Sequence, residues 1–223
     1  MMLGPSILEV FLSNWQIFLK GLVGTLEYAF VAVLIGSLLG TLIAFMRLSK
    51  HKVWNVISMV YVTVLRGTPL LVQMYISYFF IPMAIPSLNS IDKVYYVLLA
   101  LTLNSSAYVS EIIRGGIIAV DKGQIEAARS LGMSNYHCMS RIVMPQAIKN
   151  ILPALANEYI AMIKETSLAG TFSLYELMYT RVILANQFLV WQPLFIIAII
   201  YLVCTLFLTW IVRILEKRLS VSD

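Results

Sequence analysis

The chain has 223 residues, of which 60% are hydrophobic and only 12% are charged, and its formal net charge is +5. So apolar a composition excludes an ordinary soluble domain and predicts an integral membrane protein. Lysine and arginine fall mainly in short segments between apolar stretches, where they indicate membrane topology. The positive charge therefore does not predict nucleic acid as a partner.

Five apolar segments are candidates for membrane-spanning helices, which need about 20 mainly apolar residues. The first and last are nearly free of charge, whereas the three between them contain Pro, Gly or charged residues. In chain order the segments are 21–45, 53–85, 94–120, 142–172 and 194–212. The predicted fold is an all-α membrane protein with five transmembrane helices, in one permease domain covering residues 1–223.

Lysine and arginine follow the first, third and fifth predicted helices, while the opposite side carries only Lys20, Lys93 and Arg181. Positive residues in short loops mark the cytoplasmic side of a membrane protein. The N-terminus is therefore predicted outside and the C-terminus in the cytoplasm, an arrangement that requires an odd number of spans.

The second predicted span is interrupted by Arg66-Gly67-Thr68-Pro69. Proline lacks an N–H and disfavours helix at the preceding residue. A break at membrane depth is tolerated only where the backbone is buried in protein or lines a cavity. Arg66 could bind a carboxylate beside this break, or it could extend to the membrane interface from a purely structural kink.

The third predicted span carries Asn104, Tyr108 and Glu111 at steps of four and three residues, so they share one helix face, which Arg114 continues. An ionisable residue at the centre of a span costs on the order of 2.5 to 3.5 kcal/mol and is a functional candidate. The face could line a translocation path, or Glu111 and Arg114 could simply form an ion pair.

A polar passage at about 121–145 separates the third and fourth spans. Residues 124–131 favour helix, Gly132 can adopt the left-handed conformation that ends it, and Ser134 can cap the next helix. The pattern predicts two helices meeting at a sharp corner. This corner could dock into another protein, or the first helix could lie on the membrane surface.

Four groups of residues resemble the ATP-binding cassette (ABC) importer permeases. Glu126-Ala127-Ala128, Gly132 and Pro145 resemble their EAA loop, although Met144 stands where Leu is usual. Three further motifs are similar to the polar amino-acid uptake group, of histidine, arginine or glutamine type: Arg66–Gln73, Ala107–Gly116 and Lys164–Leu168. The resemblance covers nearly the whole chain.

This resemblance implies a multi-pass subunit of the bacterial inner membrane that forms the translocation pathway. It implies an ABC ATPase, holding ATP and Mg²⁺, as a partner docked on the EAA loop. The other implied partners, besides the lipid bilayer, are a second permease subunit, with a homodimer favoured, and an extracytoplasmic amino-acid-binding protein. The chain itself has no Gly-x-x-x-x-Gly-Lys-Ser/Thr phosphate loop, so we expect no ATPase, catalytic or metal site in it.

The expected function is thus transport of a polar amino acid. The acids at membrane depth, Glu111, Glu158 and Glu165, favour one with a basic side chain. Arg66, Arg114 and Lys164 oppose the inference of a basic substrate. Glu165 could attract a cationic group, or it could pair with Arg66 or Lys164. The candidate substrate-binding residues are Arg66, Thr68, Gln73, Asn104, Tyr108, Glu111, Glu165, Ser167 and Leu168, and the candidate coupling residues are Glu126, Ala127, Ala128, Arg129 and Gly132.

An alternative function is secondary transport coupled to Na⁺ or H⁺ at Glu111 and Glu165. Such a transporter would work without an ATPase and usually contains an internal repeat, which this sequence does not show. The particular amino acid, the identity of the second subunit and the resting conformation are not determined by the sequence.

Overall fold

The computed structural model describes residues 5–185 and 191–220, and within these ranges the chain is helical without β-strands. A π-helical turn, Ile76–Phe80, joins α3 to α4, another, Met139–Val143, joins α7 to α8, and a 3₁₀ helix, Thr166–Phe172, follows α8. The α-helices are α1 (Ile7–Leu48), α2 (Lys52–Gly67), α3 (Leu70–Tyr75), α4 (Ile81–Ala84), α5 (Val94–Ile118), α6 (Lys122–Ser130), α7 (Asn135–Cys138), α8 (Met144–Glu165), α9 (Thr180–Leu184) and α10 (Trp191–Ser220).

The all-α prediction is confirmed, but the count of five spans is not settled by length and composition. In the described ranges, α1, α5 and α10 are long and apolar enough to cross a membrane, and α2 with the α3–α4 segment adds one pair bent by 105°. Helix α8 has 22 residues, which is about 33 Å at 1.5 Å per residue. Because of its charged residues, among them Lys149 and Glu158, α8 is less apolar than α1, α5 and α10. The fifth span therefore stays a prediction.

Helix α1 begins well before the predicted start of the first span. It runs for 42 residues from Ile7, with one irregular residue, Asn14, at φ −129° and ψ 16°. The side-chain amide of Asn14 donates to the carbonyl of Val10 at 3.0 Å and so competes with the helical backbone bonds there. Seven residues before Asn14 therefore form a separate first segment of the helix.

Helix α5 lies at the centre of the molecule and packs against α1, α2, α3 and α8. The contact with α1 is close because α1 presents glycines to it. A Cβ atom added to Gly36 would lie 3.0 Å from the Ser105 Cβ, and one added to Gly40 would lie 2.7 Å from the Ser106 carbonyl oxygen. Close packing of this kind holds the polar face of α5 against the broken span and α8.

Candidate substrate cavity and coupling loop

The break in the second span occurs where it is predicted, at Thr68 and Pro69. Thr68 is extended, with φ −119° and ψ 145°, between α2 and α3. Because Pro69 has no N–H, the carbonyl of Leu65 loses its usual helical donor. The side chains of Gln73, at 2.7 Å, and Asn104, at 3.4 Å, donate to this carbonyl instead. The break is therefore stabilised by side chains from α3 and α5, as a break within a membrane protein requires.

A cavity of about 310 Å³ lies between this break, α5 and α8. We call it the substrate cavity. Four predicted substrate-binding residues line it, namely Thr68, Asn104, Tyr108 and Glu165, together with Pro69, Leu70, Glu158, Ala161 and Met162. The polar face predicted on α5 and the predicted break thus meet at one place.

The two acids of the substrate cavity, Glu158 and Glu165, both belong to α8. They are seven residues apart, so they lie on the same face, about 10 Å apart along the helix axis. One oxygen of Glu158 accepts a hydrogen bond of 3.1 Å from the buried hydroxyl of Ser105. Glu158 is missing from the predicted binding residues, although its spacing from Glu165 would have placed both acids on one face.

Arg66 lies beside the substrate cavity and not in its lining. Its guanidinium is stacked on the ring of Tyr108, 4.9 Å from the ring centroid, and its side chain is 42% exposed. Among the described residues, Glu165 forms no ion pair with Arg66 or with Lys164. Of the two alternatives for Glu165, the pairing is therefore not found, and the residue lines the cavity.

Glu111 is not in the cavity lining but at the centre of a charged cluster. Arg114 donates to it at 2.7 Å, Arg47 at the end of α1 lies 3.2 Å away, and Arg66 lies 3.9 Å away. Of the two alternatives for this face, the Glu111–Arg114 ion pair is present, and it is extended by arginines from two other helices. The cluster joins α1, α2 and α5.

Three other predicted binding residues lie outside the substrate cavity. Gln73 lies behind its wall, where its amide contacts the backbone of the break. Ser167 and Leu168 belong to the 3₁₀ helix after α8 and line a separate cavity of about 440 Å³ that also contains Arg181. Sequence proximity to Glu165 does not bring these two side chains to the same cavity, because the chain changes helix type at Thr166.

The α6–α7 loop has the predicted corner. The side chain of Asp121 accepts from the backbone N–H of Gly123 at 2.7 Å and caps α6, and Ser134 caps α7 by accepting from the N–H of His137 at 3.3 Å. Gly132 has φ +79°, in the left-handed region. The N–H of Met133 donates to the carbonyl of Ala128 at 3.1 Å, which closes the end of α6.

The residues of this corner divide between the surface and the protein's own core. Glu126, Ala127 and Gly132 are exposed, and beside them Leu131 is 84% and Tyr136 is 77% exposed. Ala128, in contrast, is only 5% exposed and packs in a buried cluster of this chain, so it does not offer the surface that its place in the motif predicts. Arg129 donates to the carbonyl of Met133 at 2.6 Å and stabilises the turn.

Known proteins resemble this chain in sequence over most of its length. Residues 32–221 match the family described as binding-protein-dependent transport system inner membrane component. The chain is 38% identical to the putative glutamine transport system permease protein GlnP of Rickettsia bellii (strain RML369-C), over 91% of this chain and 93% of that protein. It is 39% identical to the arginine transport system permease protein ArtQ of Bacillus subtilis (strain 168), over 92% and 93% of the two chains.

Among solved structures, the crystal structure of an amino acid ABC transporter with histidines contains a similar chain. The two superpose with a TM-score of 0.91 at 41% identity, over 97% of this chain and 100% of the other. This chain therefore belongs to the family of inner-membrane components of binding-protein-dependent transport systems, and it is a permease subunit of an amino-acid ABC transporter.

Proposed function

We propose that this permease conducts an amino acid with a basic side chain and that a partner ATPase drives the transport. The observation that carries the substrate class is the pair Glu158 and Glu165 facing one cavity, with no lysine or arginine among the described residues that line it. The two carboxylates give the cavity a negative potential, and a bound cation is attracted to it. A guanidinium or ammonium group matches this requirement.

The other end of the ligand needs a positive group for its α-carboxylate, and Arg66 is the candidate. Arg114 and Arg47 lie closer to Glu111 than Arg66 does, at 2.7 and 3.2 Å against 3.9 Å. Arg66 is thus the arginine of this cluster that is least committed to Glu111, and it is stacked on Tyr108, which lines the substrate cavity. A guanidinium can bind a carboxylate by paired hydrogen bonds. In this pose the side chain of the amino acid points to α8 and its carboxylate to α2.

The same proposal assigns the α6–α7 corner to energy coupling. The exposed residues Glu126, Ala127, Leu131 and Tyr136 form the surface on which an ABC ATPase, carrying ATP and Mg²⁺, docks. Ala128 packs beneath them with Cys138, Val143 and Ile151, in a buried cluster that also includes Val109 and Ile113 of α5. A displacement of the corner is therefore transmitted directly to α5 and α8, which carry most of the lining of the substrate cavity.

The proposed complex has two copies of this chain, each with one ATPase subunit, and receives its amino acid from an extracytoplasmic binding protein. The N-terminus lies outside and the C-terminus and the α6–α7 corner lie in the cytoplasm. The relatives named for glutamine and arginine transport are consistent with a polar amino acid, and the two acids of the substrate cavity favour a basic one.

Uptake by proteoliposomes tests the proposal. The permease and its ATPase are reconstituted with ATP and Mg²⁺ enclosed, binding protein is added outside, and uptake of labelled arginine and glutamine is measured. The proposal predicts uptake that requires ATP and a functional ATPase, with arginine preferred. Uptake by the permease alone, driven by a Na⁺ or H⁺ gradient, would instead support the secondary-transporter alternative.

A further inference from the structure

We infer that Gln73 controls the selectivity of the substrate cavity without touching the amino acid, by engaging an N–H donor of Asn104 in the cavity wall. The inference rests on the proposed transport of a basic amino acid. Its physical basis is the set of hydrogen bonds that compensates for the missing N–H of Pro69.

The orientation of the Gln73 amide follows from its neighbours. Its nitrogen lies 2.7 Å from the carbonyl oxygen of Leu65, 3.1 Å from that of Thr68 and 2.9 Å from the hydroxyl of Thr68. Backbone carbonyls only accept hydrogen bonds, so the NH₂ group must face them. The amide oxygen of Gln73 consequently faces α5 as an acceptor.

That acceptor determines what Asn104 can offer to a ligand. The amide nitrogen of Asn104 lies 3.2 Å from the Gln73 oxygen and 3.4 Å from the Leu65 carbonyl. A primary amide has two N–H donors, and these two contacts engage both. Asn104 is only 6% exposed. The group that it has left for the substrate cavity is its carbonyl oxygen, an acceptor.

Thr68 likewise has no donor left for the cavity, but its proton is engaged by the Val64 carbonyl and not by Gln73. Its hydroxyl donates to the carbonyl of Val64 at 2.8 Å and accepts from Gln73 at 2.9 Å. The hydroxyl has one proton, so it too can offer the cavity only an acceptor. With the carboxylates of Glu158 and Glu165, every polar side chain of the described cavity lining except Tyr108 is an acceptor.

An acceptor-rich cavity selects a ligand by its hydrogen-bond donors and not only by its charge. A guanidinium has five N–H donors and no acceptor, so arginine can satisfy these groups. Citrulline has nearly the same shape, but it carries a carbonyl oxygen where arginine has a nitrogen. An acceptor facing an acceptor without a donor between them is unfavourable, so Gln73 should indirectly exclude neutral amides such as citrulline.

The experiment uses the permease–ATPase complex in lipid nanodiscs without binding protein, so that only the permease selects. Binding of tritiated arginine is measured with unlabelled arginine or citrulline as competitor, and the ratio of the two inhibition constants is compared between variants. Gln73→Met removes donor and acceptor at nearly constant length, which frees one N–H of Asn104 to donate into the cavity. We expect the preference for arginine over citrulline to fall about tenfold or more.

Two further variants separate selectivity from structure. Gln73→Glu also removes one of the two donors to the Leu65 carbonyl, but it keeps an acceptor for Asn104, so the preference for arginine should persist. Gln146→Met removes a comparable half-buried amide, which donates to the Ile142 carbonyl at 3.1 Å away from the cavity, and should leave the ratio unchanged. If the Gln73→Met complex does not assemble, Gln73→Asn, too short to reach Asn104, replaces it with the same expectation.

The outcomes distinguish this inference from the proposed function. Equal affinity of the wild-type complex for arginine and citrulline would overturn the basic substrate class and the inference that rests on it. A wild-type preference that stays the same in the Gln73→Met variant would overturn the role of Gln73 alone. Loss of preference in both the Met and Glu variants would show that Gln73 only stabilises the break.

Discussion

Arg114 donates to the carboxylate of Glu111 at 2.7 Å, one turn away on α5. The same carboxylate is contacted by Arg47 from α1 and lies near Arg66 of α2, so one acid is surrounded by three arginines. Because these arginines come from three helices, Glu111 offsets a repulsion that would otherwise separate those helices.

Replacing Glu111 by Gln should therefore destabilise the permease, although this residue does not line the substrate cavity. Removing the acid of a buried ion pair costs on the order of 3 to 5 kcal/mol, and since these side chains are partly exposed we expect about 2 kcal/mol. The measurement is the melting temperature of the purified complex. Glu126→Gln, on the exposed corner, is the matched control and should melt like the wild type. Equal melting temperatures for all three proteins would contradict a structural role of Glu111.

Glu158→Gln should weaken the binding of basic amino acids selectively. The Gln side chain can still accept the hydrogen bond from Ser105, so only the charge is lost. A charge-assisted hydrogen bond is stronger than a neutral one by about 1 kcal/mol or more. We therefore expect the affinity for arginine and lysine to fall at least several-fold and that for glutamine to change little.

Glu165→Gln should have the same selective effect, because Glu165 faces the same cavity. Uptake of arginine and of glutamine into vesicles, with saturating binding protein, is compared for each variant. Equal losses for the charged and the neutral amino acid would remove the tested glutamate from substrate selection and leave it a structural role.

Arg66→Gln should impair every amino acid alike, because the α-carboxylate is common to all of them. Arg66→Lys keeps the charge but not the paired geometry, and it should recover part of the affinity. Uptake of arginine, lysine and glutamine is measured at several concentrations. A loss confined to one of these substrates would exclude Arg66 as the carboxylate group.

Gly132→Val should uncouple ATP hydrolysis from transport. Gly132 has φ +79°, a conformation that costs a branched residue on the order of 1 kcal/mol or more. The corner would change direction and the ATPase would dock poorly. The readouts are copurification of the ATPase and substrate-stimulated ATP hydrolysis.

The matched control is Gly132→Asn, since asparagine tolerates the left-handed conformation. It should retain the ATPase and most of the stimulation while the Val variant loses them. Normal assembly and stimulation in Gly132→Val would refute the role of this turn in coupling.

Features that depend on a few neighbouring residues could be predicted from the sequence. The break at Thr68 and Pro69, the left-handed Gly132 and the cap at Ser134 all appear in the structure. The physical reason is local, because a missing N–H, a missing Cβ and a side-chain oxygen at a helix start act over one turn of chain. The apolar composition likewise determined that the protein is helical and lies in a membrane.

Only the tertiary structure decided which of these features meet. Helical periodicity places Asn104 and Tyr108 on one face of α5, but it does not specify which helix packs against that face. Packing brings Glu158 into the same cavity, places Gln73 behind the wall instead of in the site, and buries Ala128 beneath the exposed corner. These relationships join residues far apart in the chain, and their free energy comes from contacts that no single segment of the sequence contains.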